Sequence, residues 1–423
     1  MGETTRIRTA NAGGSFRTGL VTVLDVGSSK VVCLIGRAEP GSLRVVGAAL
    51  RESHGIKSGT VTGLEQAEEA IREAVAAAEN HADTRIQNVL ISVSCGSPTS
   101  VNARAAIALD GALVSDAHLH ALIREGRARC TLDGYEIIQV RPTTYVVDEA
   151  RGVRDPRGMF CQRIGVAMHG VAVKPSPLQN LKLAVERCHL SVAGALFSAY
   201  ASALSTLTAD EKQLGATVID MGGGVTSIAV FMEGEMVHAD AVPMGGAHVT
   251  ADLARMLAAP VSAAERIKTL YGAALGDIES GTDMVAVPQM GEDNDAQRVP
   301  RSMLTRIIQP RLEEILGEVA QRLRASGFDV AAGRRAVITG GACQLAGMRE
   351  LAQRILNKQV RIGRPQTLPG LPAASAGPDY ATALGLLMAG ATMPPEALNP
   401  DSVDAPQKRG NSFFRRMLGG IFE

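Results

Sequence analysis

The sequence predicts an α/β chain built as two similar lobes, and three observations carry that expectation. Thr217–Phe231, TVIDMGGGVTSIAVF, reads as a strand, a carboxylate, a glycine turn and a second strand. Leu20–Gly36, LVTVLDVGSSKVVCLIG, repeats the design with Asp25, Gly27, Ser28, Ser29 and Lys30 at its turn. At 423 residues the chain is too long for one typical core, so two lobes or several smaller units are expected. A carboxylate at a strand end, followed by glycines, makes a tight hairpin whose backbone can meet a phosphate with no side chain between. Asp220 would then sit beside phosphates, its charge offset by a divalent cation and its waters. Asp-Xaa-Gly also builds ordinary hairpins; the second copy is what favours two turns facing one nucleotide.

Composition narrows the function classes. Apolar residues make up 46% of the chain, enough for well-buried sheets, and the formal net charge is +0, which argues against a nucleic-acid binder. Six cysteines are scattered singly with no Cys-x-x-Cys pair, so they read as small buried residues in a reducing compartment. No run of eighteen apolar residues exists, and the N-terminus lacks the apolar stretch of a secretory signal. The expectation is a cytosolic protein, qualified only by its far C-terminus.

Taken in order, residues 1–18 are polar, rich in Thr and Arg, and expected to be disordered. Ser42–Leu50 follows the first hairpin as a strand, GIKSGTVTG (Gly55–Gly63) is a loop, Leu64–Asn80 is an amphipathic helix and Val89–Ser94 a strand. From Ser97 to Pro175 the pattern changes to an inserted α+β unit: a helix Ser115–Arg129 capped by Ser115, then strands Tyr135–Val147 and Arg163–Val173. Two helices, LKLAVERCHL and ALFSAYASALSTL, lead into the central hairpin, and Gly234–Pro243 continues as a strand. Met244–Thr250 introduces a helix, and Val261–Tyr271 is helical, placing Glu265 and Lys268 on one face. Gly276–Arg301 reads as a loose region, and Met303–Ser326 as a long helix that tolerates Pro310 only near a break or kink. AVITGGACQLAG (Ala336–Gly347) delivers a strand into Gly340–Gly341 ahead of a helix Met348–Leu356; backbone approach to an adenosine and a plain β–α turn are both open there. Asp379–Ala389 closes the fold as a helix, with Gly385 free for close packing.

Residues 390–410, with Pro394, Pro395, Pro400 and Pro406, read as a flexible tether. The chain then ends NSFFRRMLGGIFE, with Phe413, Phe414, Met417, Leu418, Ile421 and Phe422 on one helical face and Arg415 and Arg416 flanking it. This is the composition of a helix lying in an anionic membrane surface. A terminal helix docked back on the body is the alternative; three of the eight phenylalanines lying beyond a tether favour the membrane. Half-burying those six side chains gives roughly 5–8 kcal/mol gross, less the cost of ordering a short helix with Gly419 and Gly420. One such helix binds reversibly, and many on a polymer bind tightly.

Two such hairpins facing one cleft resemble the actin-like ATPase superfamily. With the turn at Gly340 and the terminal helix added, the chain resembles the FtsA family of bacterial cell-division proteins from about Leu20 to Gly390. The likeness is closest in Gly55–Gly63, AVERC (Ala184–Cys188), the central hairpin and TGGACQLAGM. It implies an actin-like two-lobe fold with duplicated five-stranded mixed sheets, divided into 19–96 and 177–214 (IA), 97–176 (an inserted IC), 215–243 (IIA), 244–320 (IIB) and 321–390 (the second part of IIA and the return to IA). The linker would be 391–410 and the membrane helix 411–423.

The same resemblance places Asp25, Gly27, Ser28, Ser29 and Lys30 in the first phosphate loop, and Gly222, Gly223, Gly224 and Val225, after Asp220, in the second. Gly340, Gly341, Ala342 and Gln344 would line the adenosine of ATP, and Glu265 and Lys268 would reach its ribose or base. Asp25 and Asp220 would act on Mg2+ through water. Partners implied are the acidic C-terminal tail of FtsZ, further copies of the chain in a polymer, later division proteins, and anionic lipid on the cytoplasmic side of the inner membrane. Arg298, Arg301, Arg306 and Arg311 are candidates for receiving the FtsZ tail, or else ordinary solvated charges. No dedicated general base is evident, so ATP turnover is expected to be slow at most. A phosphotransferase of the same superfamily and an FtsA-like pilus-assembly adaptor are the alternatives, and neither accounts for the terminal helix.

Overall fold

The computed structural model describes residues 18–276, 283–290 and 296–398. Strands β1 (Gly19–Val26), β2 (Lys30–Glu39) and β3 (Ser42–Glu52) form an antiparallel meander, followed by the two-residue pair β4 (Ile56–Lys57) and β5 (Thr60–Val61). Helix α1 (Leu64–Ala82) buries Ala67, Ala70, Ile71, Ala74, Val75 and Ala78, a stripe at three- and four-residue spacing, against this sheet. Strand β6 (Asn88–Val93) then returns parallel to β1.

The inserted unit follows: β7 (Thr99–Leu113), α2 (Asp116–Ala128), β8 (Glu136–Val147), β9 (Ala150–Val153) and β10 (Phe160–Val173), with sheet order β7-β10-β8-β9. Ser115 caps α2 as expected, its hydroxyl accepting from the His118 N–H. The fifteen-residue β7 was not anticipated. Its sequence, TSVNARAAIALDGAL, is alanine-rich and mostly half-buried, so it lacks strict alternation, and its state comes from long pairing with β10.

Helix α3 (Pro175–Glu186), β11 (Ser191–Phe197), α4 (Ser198–Thr206) and α5 (Ala209–Leu214) lead to the second lobe. Here the expectation of one helix over ALFSAYASALSTL is corrected: Ala195–Phe197 belongs to β11, which pairs parallel with β6, and only the part from Ser198 is helical. The second lobe opens with β12 (Ala216–Met221), β13 (Thr226–Met232) and β14 (Glu235–Val242), then α6 (Gly246–Met256) and α7 (Val261–Tyr271). The region read as loose contains a hairpin of β15 (Met284–Pro288) and β16 (Ala296–Pro300).

Helix α8 (Arg301–Ala325) runs on through Pro310. Pro310 and Arg306, whose carbonyl loses its helical partner, are both on the exposed face, where water can satisfy that carbonyl. A short α9 (Phe328–Ala331), β17 (Arg335–Thr339), a 3-10 turn at Gly341–Gln344, α10 (Met348–Leu356) and β18 (Gln359–Ile362) complete the second sheet. The last elements are α11 (Ala381–Thr392) and α12 (Pro395–Leu398).

The duplication is explicit in the sheets. Orders β3-β2-β1-β6-β11 and β14-β13-β12-β17-β18 each consist of two antiparallel pairings followed by two parallel ones. Helices α4 and α11 pack together where the lobes meet. A Cβ on Gly385 would lie 1.7 Å from the Ala201 carbonyl oxygen, so glycine sets that spacing. The inserted unit also reaches the second lobe, where Ser100 Oγ accepts from the Ala239 N–H on β14 at 2.8 Å. Among the described residues no helix is long and apolar enough to cross a membrane.

Candidate functional site

The two glycine turns close in the same way. Gly27 N–H donates to the Lys30 carbonyl at 2.9 Å, and Gly222 N–H donates to the Val225 carbonyl at 2.9 Å. Each turn lies at the end of a central strand pair, so the folding of two hairpins brings their tips to opposite walls of one cleft. The cleft, about 530 Å³ of space continuous with solvent, is lined by Asp25, Gly27–Lys30, Asp220, Gly222–Val225, Gly340 and Gly341. The tips approach closely: a Cβ on Gly224 would lie 2.4 Å from Ser28 Oγ, and one on Gly223 would lie 2.7 Å from Ser29 Oγ. Gly340 has φ +86, and a Cβ there would meet the Met221 carbonyl at 2.5 Å and Asp220 Oδ1 at 2.6 Å. Only glycine fits between that strand end and that carboxylate.

Electrostatics concentrate on the two aspartates. Burial pushes the Asp25 carboxyl above the usual carboxylate range, against Lys30 and a 2.5 Å hydrogen bond donated by Ser92 Oγ, both of which lower it. Burial likewise raises Asp220, opposed by hydroxyls of Ser202 at 2.9 Å and Thr382 at 3.0 Å. Lys30 is the facing cation: its ammonium donates to the Asp379 carbonyl oxygen, lies 3.7 Å from the Asp379 carboxylate and sits 5.5 Å from the Tyr380 ring centre. Such a wall offers backbone N–H groups and one ammonium to anionic oxygens, and two carboxylates to a hydrated cation.

The remaining expected residues are not among those that line the cleft. Ala342 is buried, 3.1 Å from where a Cβ on Gly246 would stand, at the start of α6. Lys268 is buried beside the same helix start, donating to Gly246 O at 3.1 Å, Thr250 Oγ1 at 2.8 Å and Glu265 Oε2 at 2.7 Å. The pair Glu265 and Lys268 is thus brought together beside Gly246, and neither residue is among those that line the cleft. Gln344 is exposed and lines a neighbouring pocket with Arg349, Arg364 and Pro378.

Of the arginines, Arg298 lies on β16 and Arg306 is exposed on α8, while Arg301 Nε donates to the Tyr271 carbonyl at 2.9 Å. Arg311 is engaged within the fold, its Nε 2.6 Å from Asp252 and its Nη1 on Glu314. The membrane-helix residues Phe413–Phe422 and the linker beyond Leu398 lie outside the described residues. Sequence reasoning missed Ser92, Ser198, Ser202, Asp379 and Thr382, all at the cleft or its aspartates. Their signal was weak, being ordinary hydroxyls in apolar elements and one carboxylate between a proline and a tyrosine.

Comparison with known proteins decides the family. Residues 217–385 match the model for cell division protein FtsA, and residues 96–172 match the SHS2 domain inserted in FtsA. The cell division protein FtsA of Rhizobium meliloti is 42% identical over 416 residues, 95% of this chain and 94% of that protein. The chain belongs to the FtsA family of cell division proteins. The FtsA of Neisseria meningitidis is 34% identical over 394 residues, covering 92% of this chain and 94% of that protein.

Among solved structures, the PilM–PilN type IV pilus biogenesis complex matches with TM-score 0.61 at 16% identity, over 88% of this chain and 98% of that one. MreB5 of Spiroplasma citri bound to ADP matches with TM-score 0.52 at 11% identity, over 88% of this chain and 96% of that one. At such identities these likenesses establish the actin-like fold alone. The FtsA fold here is thus an actin-like one, with its SHS2 insertion at β7–β10.

Proposed function

We propose that this FtsA-family protein binds ATP with Mg2+ in the interlobe cleft, polymerises on the cytoplasmic face of the inner membrane and tethers FtsZ filaments there. The observation that carries the reading is the pair of matching glycine turns meeting across one cleft, each beside a buried-side aspartate. Absence of a Cβ at Gly223 and Gly224 lets the two turns close against Ser29 and Ser28, which brings the backbone of both turns to one cleft. The fold neighbour MreB5 is bound to ADP in one structure and AMPPNP in another, which supports nucleotide as the ligand class.

In this reading the N–H groups of both turns and the Lys30 ammonium hold the phosphates. Gly340 and Gly341, with Ala342, Glu265 and Lys268 behind them, form the nucleoside side. A bound Mg2+ would supply charge neutralisation between phosphates and protein. Among the described residues no three His, Cys, Asp or Glu side chains converge to hold a metal alone, which fits a cation held through phosphate and water by Asp25 and Asp220. ATP then acts mainly as a ligand that draws the lobes together and favours the polymer, with slow turnover at most. The tail Phe413–Phe422 provides reversible attachment to anionic lipid, strengthened by polymerisation. Exposed Arg298 and Arg306 are better placed to receive an acidic FtsZ tail than Arg311, whose charge is committed to Asp252 and Glu314. The inserted unit is the surface offered to later division proteins.

The test is co-sedimentation with anionic liposomes, using the whole chain and a version ending at Gln407, each with an FtsZ tail peptide. The reading expects only the whole chain to pellet and to carry the peptide down. Both versions remaining soluble and ignoring the peptide would overturn the tether.

A further inference from the structure

The two lobes repeat each other closely enough that a departure from the repeat stands out. In the first lobe, Asp25 on β1 is held by Ser92, which stands beside it on the parallel neighbour β6. The corresponding position beside Asp220 is Thr339 on β17, paired in register with it. Thr339 does not take that role. Its hydroxyl donates elsewhere, lying 2.9 Å from the Gly363 carbonyl and 3.2 Å from that of Pro378.

Asp220 is held instead by two helices where the lobes meet. Ser202 Oγ of α4 lies 2.9 Å and Thr382 Oγ1 of α11 3.0 Å from Asp220 Oδ2, and the two hydroxyl oxygens are 2.9 Å apart. Ser202 is 0% exposed and Thr382 7% exposed, so both bonds are made by buried hydroxyls at the edge of the cleft. Both hydroxyls take the same carboxylate oxygen. The other, Oδ1, rests against Gly340 at the cleft wall. Because α11 packs on the first sheet and α4 touches β12 and β13, the aspartate is oriented from both lobes at once.

We propose that Ser202 and Thr382 are positioning residues that fix Oδ2 of Asp220 and so present Oδ1 to the hydrated divalent cation of a bound nucleotide. The inference rests on the nucleotide reading above. It assigns to the α4–α11 contact, spaced by Gly385 against Ala201, control over how well the cation is received. Losing one hydroxyl frees the carboxylate to rotate, which weakens cation-dependent binding and leaves contacts to the phosphates and nucleoside in place.

The experiment measures the affinity of the full chain for a fluorescent ATP analogue, in Mg2+ and in EDTA, for the unmodified protein, Thr382→Val, Thr382→Ser and Ser202→Ala. Thr382→Val keeps the shape and removes the donor. It is expected to weaken binding about tenfold in Mg2+, the effect of one hydrogen bond to a charged group, and less than twofold in EDTA. Thr382→Ser is expected to restore the Mg2+ value to within about twofold. Equal losses in both conditions, no loss, or no rescue by serine would overturn the proposal. Where Thr382→Val does not fold, Ser202→Ala decides by the same comparison. An unmodified chain that binds the analogue in neither condition refutes the nucleotide reading and this inference with it; one that binds equally in both refutes only the inference.

Discussion

Acid should loosen the contact between the inserted unit and the second lobe, and His169 makes the effect measurable. His169 on β10 is 2% exposed, with Nε2 2.9 Å from Ser100 Oγ; the same oxygen accepts from the Ala239 N–H at 2.8 Å and lies 3.3 Å from His238 Nδ1. Burial, and then the neighbouring His238, push the His169 pKa down from 6.5 to about 3. His238 on β14 is also lowered by burial, with Asp240 opposing. Between pH 6.5 and 3 the opened state therefore binds a proton that the closed state refuses. Stability is full above pH 6.5 and falls as pH drops toward 3. At pH 5.0 the loss from His169 alone is about 2 kcal/mol, a factor of roughly 30 in the opening equilibrium. Hydrogen exchange at the Ala239 amide, corrected for its intrinsic pH dependence, reads that opening directly. Protection should fall at least roughly 30-fold between pH 7.5 and 5.0 in the unmodified protein, since His238 titrates in the same direction. In His169→Gln, which does not titrate, most of that fall should disappear. Equal pH dependence in the two proteins would refute the reasoning.

Three further outcomes follow from named contacts. Gly223→Asp should abolish ATP binding, since its side chain would enter space where even a Cβ stands 2.7 Å from Ser29 Oγ and would add a negative charge; retained affinity in a titration would mean that this turn is not the phosphate site. Gly385→Ala should destabilise the chain by about 3 kcal/mol or more, because helices α4 and α11 must separate to admit the methyl group; an unchanged urea midpoint would contradict that. Arg311→Ala should cost about 1–3 kcal/mol by leaving the half-buried Asp252 without its partner, whereas exposed Arg306→Ala should leave stability within about 0.5 kcal/mol. Equal midpoints for the two variants would show that the Arg311 pair contributes nothing.

What could be read from the sequence was whatever a few neighbouring residues decide among themselves. Strand, aspartate, glycine and strand are contiguous in each hairpin, so both turns were legible. The bounds of α7 and α10 likewise follow from periodicity and from the glycines beside them. The strand β7 was not legible, because alanines take the state of their partner strand, and its partner β10 lies some fifty residues on. Ala195–Phe197 was read as helix for a related reason: a short apolar run fits either state, and only pairing with β6 decides it. Pro310 argued for a break that the exposed face of α8 makes unnecessary.

The same distinction explains which part of the cleft stayed hidden. A duplicated motif announces itself, since each copy carries its own local signature, and one would assign Thr339 to Asp220 by analogy with Ser92 and Asp25. The structure breaks that symmetry by spending Thr339 on the carbonyls of Gly363 and Pro378, where the chain leaves β18 and approaches α11. Asp220 then has to be satisfied by Ser202 and Thr382, 180 positions apart in sequence. A buried carboxylate costs far more unsatisfied than two buried hydroxyls cost to supply. The positions that orient the second aspartate are therefore set by how the lobes meet, and no local pattern could have marked them.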